Sequence, residues 1–349
     1  MGKLSIILGA GFSYVAGLPL TSQIFSTHEL PPTRSNDDRA DMDAVSMSYD
    51  SWRQVNTDGN AEEWLAVLYQ DRDNPLSRFI HGTTWDNAVS FALRRLTKVR
   101  NAHPDPYYYG ITRFEQKNVH EIHERFWKFI EKFDCTTIVT LNYDILVERA
   151  LHLATPTGES TPLFSYGGFP YRQVVRKMMN VTTRVYKDVF LGDKYLIYKL
   201  HGSLNWAYER HSSNMKVHDD VRAVFRTSGT VGTPAVVPPI SEKELPEMFA
   251  TIWNQGRKAL SEADVWLVCG YSMPYYDEAI KKWFHSIIPS AAVKRIALLD
   301  PNSATLVDRW SNALRPDINV RGFPGLPDAL DNTLDQFLGC GPRDRCERA

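Results

Sequence analysis

Apolar and polar positions follow two rhythms along this chain. Short apolar runs at Leu4–Leu8, Thr136–Leu141, Tyr195–Leu200, Val265–Cys269 and Arg295–Leu299 each end abruptly in Gly, Asn, His or Asp. Runs of that length, bounded by turn residues, predict strands buried on both faces. Between them the apolar spacing is helical over residues 145–153, 244–260, 277–288, 304–314 and 328–337, with short strands at 235–237 and 318–320. Strands alternating with helices specify an α/β fold built on a parallel, doubly wound sheet.

The rhythm changes between the first strand and the second. Residues 61–100 are helical in spacing, with Trp64, Leu65, Leu68 and Tyr69 on one face and Val89, Ala92, Leu93 and Leu96 on another. Pro104–Tyr109 interrupts the pattern, and Asn118–Phe133 resumes it with Val119, Ile122, Phe126, Phe129, Ile130 and Phe133 inward. His120 and His123 in that helix lack a third ligand at metal-site spacing and read as exposed. Residues 28–60 are polar, acidic and aperiodic, which predicts a surface loop, with a lid as the alternative. Residues 155–193, with a basic stretch at Arg172–Lys177, and 205–233 read as irregular excursions. The implied organisation is an α/β domain over 1–30 and 116–340, a mainly helical insertion over 31–115, and a tail over 341–349.

Composition narrows the function classes. Lys and Arg number 40 against 41 Asp and Glu, so no global field draws the chain to nucleic acid or to a membrane surface. Cys135, Cys269, Cys340 and Cys346 include no C-x-x-C pair, which argues against a zinc ribbon and a disulfide framework and places the chain in a reducing cytoplasm. The first apolar run breaks into glycines too early for a signal peptide, and Ile6 stands where myristoylation calls for Ser or Thr. No run approaches the roughly 18 apolar residues of a membrane span.

The chemistry gathers where strands end. The first strand runs into Gly9-Ala10-Gly11-Phe12-Ser13 and then Gly17-Leu18-Pro19, a strand, a tight turn and a helix start suited to a pyrophosphate. Ser13 could accept from free N–H groups of that helix start. Tyr14 occupies the third glycine position of the hydride-transfer fingerprint, and Glu29 lies in a Pro-rich stretch rather than at a strand end, which argues against an ordinary dehydrogenase. The other strand ends are Asn142-Tyr143-Asp144, His201-Gly202-Ser203, Gly270-Tyr271-Ser272 and Asp300-Pro301-Asn302. In an open α/β sheet these clusters converge on one crevice. Each also has a local account, in which Asn142, Asp144, Ser272 and Asn302 cap helices and His201 is a core histidine.

Taken together, Gly9–Ser13 with Gly17-Leu18-Pro19, Thr140–Asp144, Leu200–Ser203 and Gly270–Ser272 resemble, in order, the motif series of the SIR2 (sirtuin-like) family. The resemblance implies a Rossmann-like fold that takes NAD+ as substrate. It implies that Gly9, Ala10, Gly11 and Ser13 hold the pyrophosphate, that Phe12, Leu18, Pro19 and Tyr271 also belong to the cofactor site, and that Asn142 and Asp144 face the nicotinamide ribose. It further implies that His201 is the catalytic base and that Gly270 and Ser272, with Asn302, hold the adenosine half.

The departures are equally informative. Leu20-Thr21-Ser22 stands where sirtuin deacylases carry Asp-Phe-Arg, and their four-cysteine zinc ribbon has no counterpart, so no metal is implied. The chain looks more like the SIR2 effectors of bacterial antiphage defence, which hydrolyse NAD+. That likeness implies a homo-oligomer or a separate sensing partner, such as an ATPase or an Argonaute-type protein. Two other readings stay open: a sensor that binds NAD+ or ADP-ribose without turnover, and an NAD-dependent deacylase.

Overall fold

Each of the apolar runs becomes a strand. In the computed structural model they are β1 (Leu4–Leu8), β2 (Cys135–Thr140), β6 (Tyr195–Lys199), β10 (Val265–Cys269) and β11 (Arg295–Leu299), joined by β3 (Phe164–Tyr166) and β12 (Asn319–Phe323). The structure describes residues 2–18, 20, 23–25, 36–57, 59–96, 121–154, 163–169, 171–176, 181–184, 194–208, 215–218, 224, 234–238, 245–273 and 278–339. The seven strands form one sheet in the order β12-β11-β10-β1-β2-β6-β3. Every neighbouring pair is parallel, which makes this the doubly wound α/β sheet that the strand pattern specifies.

Chain order reverses direction between β1 and β10. From β1 the chain moves outward through β2 to β6, and from β10 it moves the other way through β11 to β12. In a parallel sheet all carboxyl ends share one edge, and the reversal opens a crevice there. That edge is tightly bonded: Gly9 N donates to Cys269 O, Leu141 N to Leu8 O, Leu200 N to Thr140 O and Gly270 N to Leu299 O, at 3.0–3.1 Å. The strand ends are thus locked in register.

Helices cover the sheet: α1 (Ala10–Tyr14), α6 (Glu121–Ile130), α7 (Leu146–Ala154), α8 (Glu247–Ser261), α9 (Glu278–Ile287), α10 (Ser303–Ala313) and α11 (Asn332–Leu338). Fully buried tryptophans weld α8 to the sheet. Trp283 Nε1 donates to Trp253 O at 3.1 Å, and Trp253 Nε1 donates to Leu200 O at 2.8 Å, so neither indole N–H is left unpaired. Burial pushes the Cys135 thiol up to about 12 and raises that of Cys269, which keeps both as inert packing. No helix among the described residues is long and apolar enough to cross a membrane.

Three expectations are corrected. Residues 36–55, read as loop, form the helix α2 (Asn36–Val55), which buries Met42, Val45 and Tyr49. The spacing of 42, 45 and 49 is helical, but the aspartates and serines between them mask it. Helices α3 (Ala61–Gln70), α4 (Ser77–His81) and α5 (Trp85–Leu96) follow α2. The stretches read as irregular contain the main-sheet edge strand β3 and also β4 (Tyr171–Arg176), β5 (Val181–Arg184), most of β7 (Gly202–Tyr208) and β8 (Met215–His218); the last four with β9 (Pro234–Val236) build a second sheet in the order β5-β4-β8-β7-β9. Finally, His123 is buried rather than exposed: its Nε2 lies 3.0 Å from the Phe12 carbonyl and its ring stacks on Phe12 at 4.3 Å. Stacking on an aromatic ring offsets the loss of water around the imidazole. His120 lies outside the described residues.

Candidate active site

The crevice floor is backbone packed on backbone. A Cβ at Gly9 would come within 2.6 Å of Gly270 O, and one at Gly11 within 2.7 Å of Gly270 Cα. Gly270 itself has φ of +63°, and its Cβ would sit 2.2 Å from Phe12 N. These glycines let the β1 and β10 turns touch, and Gly11 N donates to Gly270 O at 2.9 Å.

From the next strand, Asn142 reaches back into this floor. Its Nδ2 donates to Gly9 O at 2.9 Å and to Ser13 Oγ at 3.0 Å. The carbonyl partner fixes which end of the amide faces inward. With both amide protons committed, Asn142 presents Oδ1 as an acceptor. Ser13 in turn donates to Asp144 Oδ2 at 2.7 Å, while Asp144 Oδ1 accepts from Leu146 N at 3.0 Å and caps α7. Asp144 is therefore both cap and brace. The expectation that Ser13 caps the helix after β1 is corrected: the N-cap is Gly9, and Ser13 lies inside α1 with its hydroxyl turned to Asn142 and Asp144.

His201 sits where the main sheet passes into the second one, between β6 and β7. Gly202, with φ of +83°, makes that corner, since a Cβ there would meet Ala235 O at 2.1 Å. His201 O accepts from Val237 N at 2.9 Å, and its ring lies 5.9 Å from Tyr143 and 6.3 Å from Trp253. The imidazole is only 2% exposed. Burial alone lowers its pKa to about 4, so it is neutral at physiological pH. Among the described residues, Nδ1 has no hydrogen-bond partner. A buried polar atom with no partner carries a free-energy penalty that a ligand's hydroxyl or a water could remove.

The remaining sequence candidates divide. Gly9, Gly11, Ser13, Asn142, Asp144 and Gly270 meet in one bonded cluster, with Ala10 opening α1 beside it. The Phe12 ring packs edge-on to Phe126 at 5.1 Å and the Tyr271 ring packs near Phe284 and Trp310, while the Tyr271 Cβ and Cα press against Gly9. Leu18 packs with Ala16 and Leu146 against α7. Ser272 accepts from Arg309 through its carbonyl at 2.8 Å. Asn302 is exposed at the start of α10 and makes no side-chain cap, because Asp300 Oδ1 takes that turn by accepting from Asn302 N at 2.8 Å. Pro19 lies outside the described residues. Sequence reasoning missed Lys199, a fully buried cation under Asp144. A lysine inside the apolar run Tyr195–Leu200 was the available signal.

The chain is similar to solved Sir2 structures. A mutant Sir2 homologue in complex with ADP-ribose is 16% identical, with 96% of this chain and 90% of that chain covered at a TM-score of 0.45. A Sir2 homologue–NAD complex is 15% identical, with 96% and 88% covered at 0.44. A Sir2–p53 peptide–NAD+ complex is 12% identical, with 94% and 88% covered at 0.38. No protein-family model matches the chain, and no curated protein matches its sequence. Among the described residues, no group of three or more His, Cys, Asp or Glu side chains could hold a metal ion.

Proposed function

We propose that the crevice binds NAD+ and hydrolyses its nicotinamide–ribose bond, releasing nicotinamide and ADP-ribose. The observation that carries this reading is the Asn142 side chain clamped to Gly9 O and Ser13 Oγ at the sheet's switch point. It fixes an acceptor beside the glycine floor that the motif resemblance assigns to the pyrophosphate. His201, whose Nδ1 has no partner among the described residues, has its ring 5.9 Å from that of Tyr143, the residue after Asn142.

The bond that breaks joins the ribose anomeric carbon to the pyridinium nitrogen. Its electron pair leaves with nicotinamide, and the sugar becomes oxocarbenium-like. Water oxygen then bonds to that carbon and loses a proton. Asn142 Oδ1 can orient the water or a ribose hydroxyl, and His201 takes the proton directly or through that hydroxyl. A base with pKa about 4 suffices, because water bonding to an oxocarbenium carbon becomes strongly acidic.

Free nicotinamide release from NAD+ by the pure protein tests the reaction. Asn142→Ala and His201→Ala are each expected to lower turnover at least about 10²-fold while keeping the wild-type circular dichroism. Full turnover in both would remove the mechanism. One observation favours a second reading, a sensor that binds NAD+ or ADP-ribose without consuming it: His201 is so deeply buried that it is a weak base. Binding without nicotinamide release would select that reading, and release that depends on an acyl-lysine peptide would select a deacylase. The resemblance extends the proposal to an antiphage effector that depletes NAD+ with an oligomeric or sensing partner; cellular NAD+ that stays constant through phage infection would exclude it.

A further inference from the structure

Behind the crevice lies a closed polar ring that the proposed chemistry does not use. Lys199 and Glu148 have side chains 1% and 0% exposed and pair at 2.9 Å. Lys199 Nζ also donates to the backbone carbonyl of Asp144. Tyr166 OH donates to Glu148 Oε1 at 3.0 Å, and Asn205 Nδ2 approaches Tyr166 OH at 3.4 Å. Ser203 Oγ donates to Asn205 Oδ1 at 2.7 Å, and the next residue, Leu204, donates its N–H to the Tyr143 carbonyl at 2.9 Å. The ring starts at one carbonyl of the Asn142-Tyr143-Asp144 turn and returns to the other, passing through β3, β6, β7 and α7 on the way.

A buried ion pair is seldom the most stable filling for its space, so its presence at a turn calls for another role. Here the two carbonyls it holds belong to the residues directly after Asn142. We propose that Lys199 and Glu148 are positioning residues that fix the Asn142 side chain against Gly9 and Ser13. The pair restrains the turn from beneath, and the second sheet restrains it from the side. Loss of either restraint lets the turn rotate and draws the Asn142 amide away from Gly9 O. The inference deepens the proposed NAD+ reaction, but its structural part can be read without turnover.

The test replaces the pair with apolar residues, Lys199→Met together with Glu148→Leu, so that no charge is left buried alone. Tyr166→Phe, which deletes one hydroxyl from the ring, is made beside it. The first readout is hydrogen exchange of the Asn142 side-chain amide by NMR, assigned by its loss in Asn142→Ala. The second is kcat and KM for NAD+. The expected result in the double variant is amide exchange at least about tenfold faster and kcat lowered about tenfold or more, with KM within about twofold, since binding contacts elsewhere are untouched. Tyr166→Phe shifts both readouts the same way by less. Asn142 protection equal to wild type in the folded double variant overturns the proposal; should the double variant not fold, unchanged protection in Tyr166→Phe overturns it. A wild-type protein that releases no nicotinamide defeats the NAD+ hydrolysis reading alone, and the amide readout still decides this one.

Discussion

At the residue scale, His201 couples stability and activity to pH through its burial. Its ordinary pKa of 6.5 is lowered to about 4 in the folded chain by loss of water around the charged form, with the rings of Tyr143 and Trp253 beside it. The unfolded chain binds the proton more readily than the folded one. Stability from this group is therefore complete above pH 6.5 and falls as pH drops toward 4, by roughly 3 kcal/mol in all. Urea unfolding of wild type and His201→Asn at pH 7.5, 5.5 and 4.5 checks this. The wild type should lose stability faster than the variant over that range, and parallel losses would mean that His201 is not buried as described. The rate follows the same proton: kcat should stay flat from pH 8 down to about 5 and fall only as pH nears 4. A rate profile with its limb near pH 6.5 would mean either an exposed imidazole or a different base.

At the element scale, the contact between the β1 and β10 turns depends on glycine at a position where no other residue fits. Gly270→Ala adds a Cβ 2.2 Å from Phe12 N at a φ of +63°, so both sterics and backbone strain oppose it. It is expected to destabilise by about 2–4 kcal/mol in denaturant titration. Gly256 in α8 is the internal contrast, because a Cβ there would meet Tyr198 at an ordinary 3.5 Å. Gly256→Ala should stabilise by about 0.5–1 kcal/mol through helix propensity. If the two substitutions cost the same, the turns are not packed as described. The inner strands of the main sheet were legible because a strand buried on both faces is apolar throughout, as Val265–Cys269 is, whereas the three-residue edge strand β3 lay hidden in a stretch read as irregular. The second sheet was not legible, because its strands are short and carry polar residues such as Asn205 and Lys216 within them, which breaks the apolar run that marks a buried strand. The convergence of Gly9, Asn142 and Gly270 followed from parallel strand order alone. The Ser13 hydroxyl could not be placed that way, since its direction depends on where α1 begins, and α1 begins one residue after the strand-ending glycine.

At the scale of the whole molecule, the crevice lies between two halves of one sheet, β10–β12 on one side and β1, β2, β6 and β3 on the other. A dinucleotide laid across the switch point touches both halves at once, and a ligand that binds only the folded state stabilises it by mass action, by about 2.7 kcal/mol at one hundred times its Kd. ADP-ribose is the informative probe, because it keeps the pyrophosphate and both riboses and has no nicotinamide bond left to cleave. Millimolar ADP-ribose should raise the melting temperature by a few degrees, and NAD+ should do so at first and then converge on the ADP-ribose value as turnover proceeds. Asn142→Ala should keep most of the ADP-ribose shift, since the glycine floor is intact, while its NAD+ trace stays constant in time. Gly270→Ala should lose the shift with either ligand, because it separates the turns that form the floor. If neither nucleotide moves the wild-type transition, dinucleotide binding at this crevice is excluded, and with it both hydrolysis and sensing.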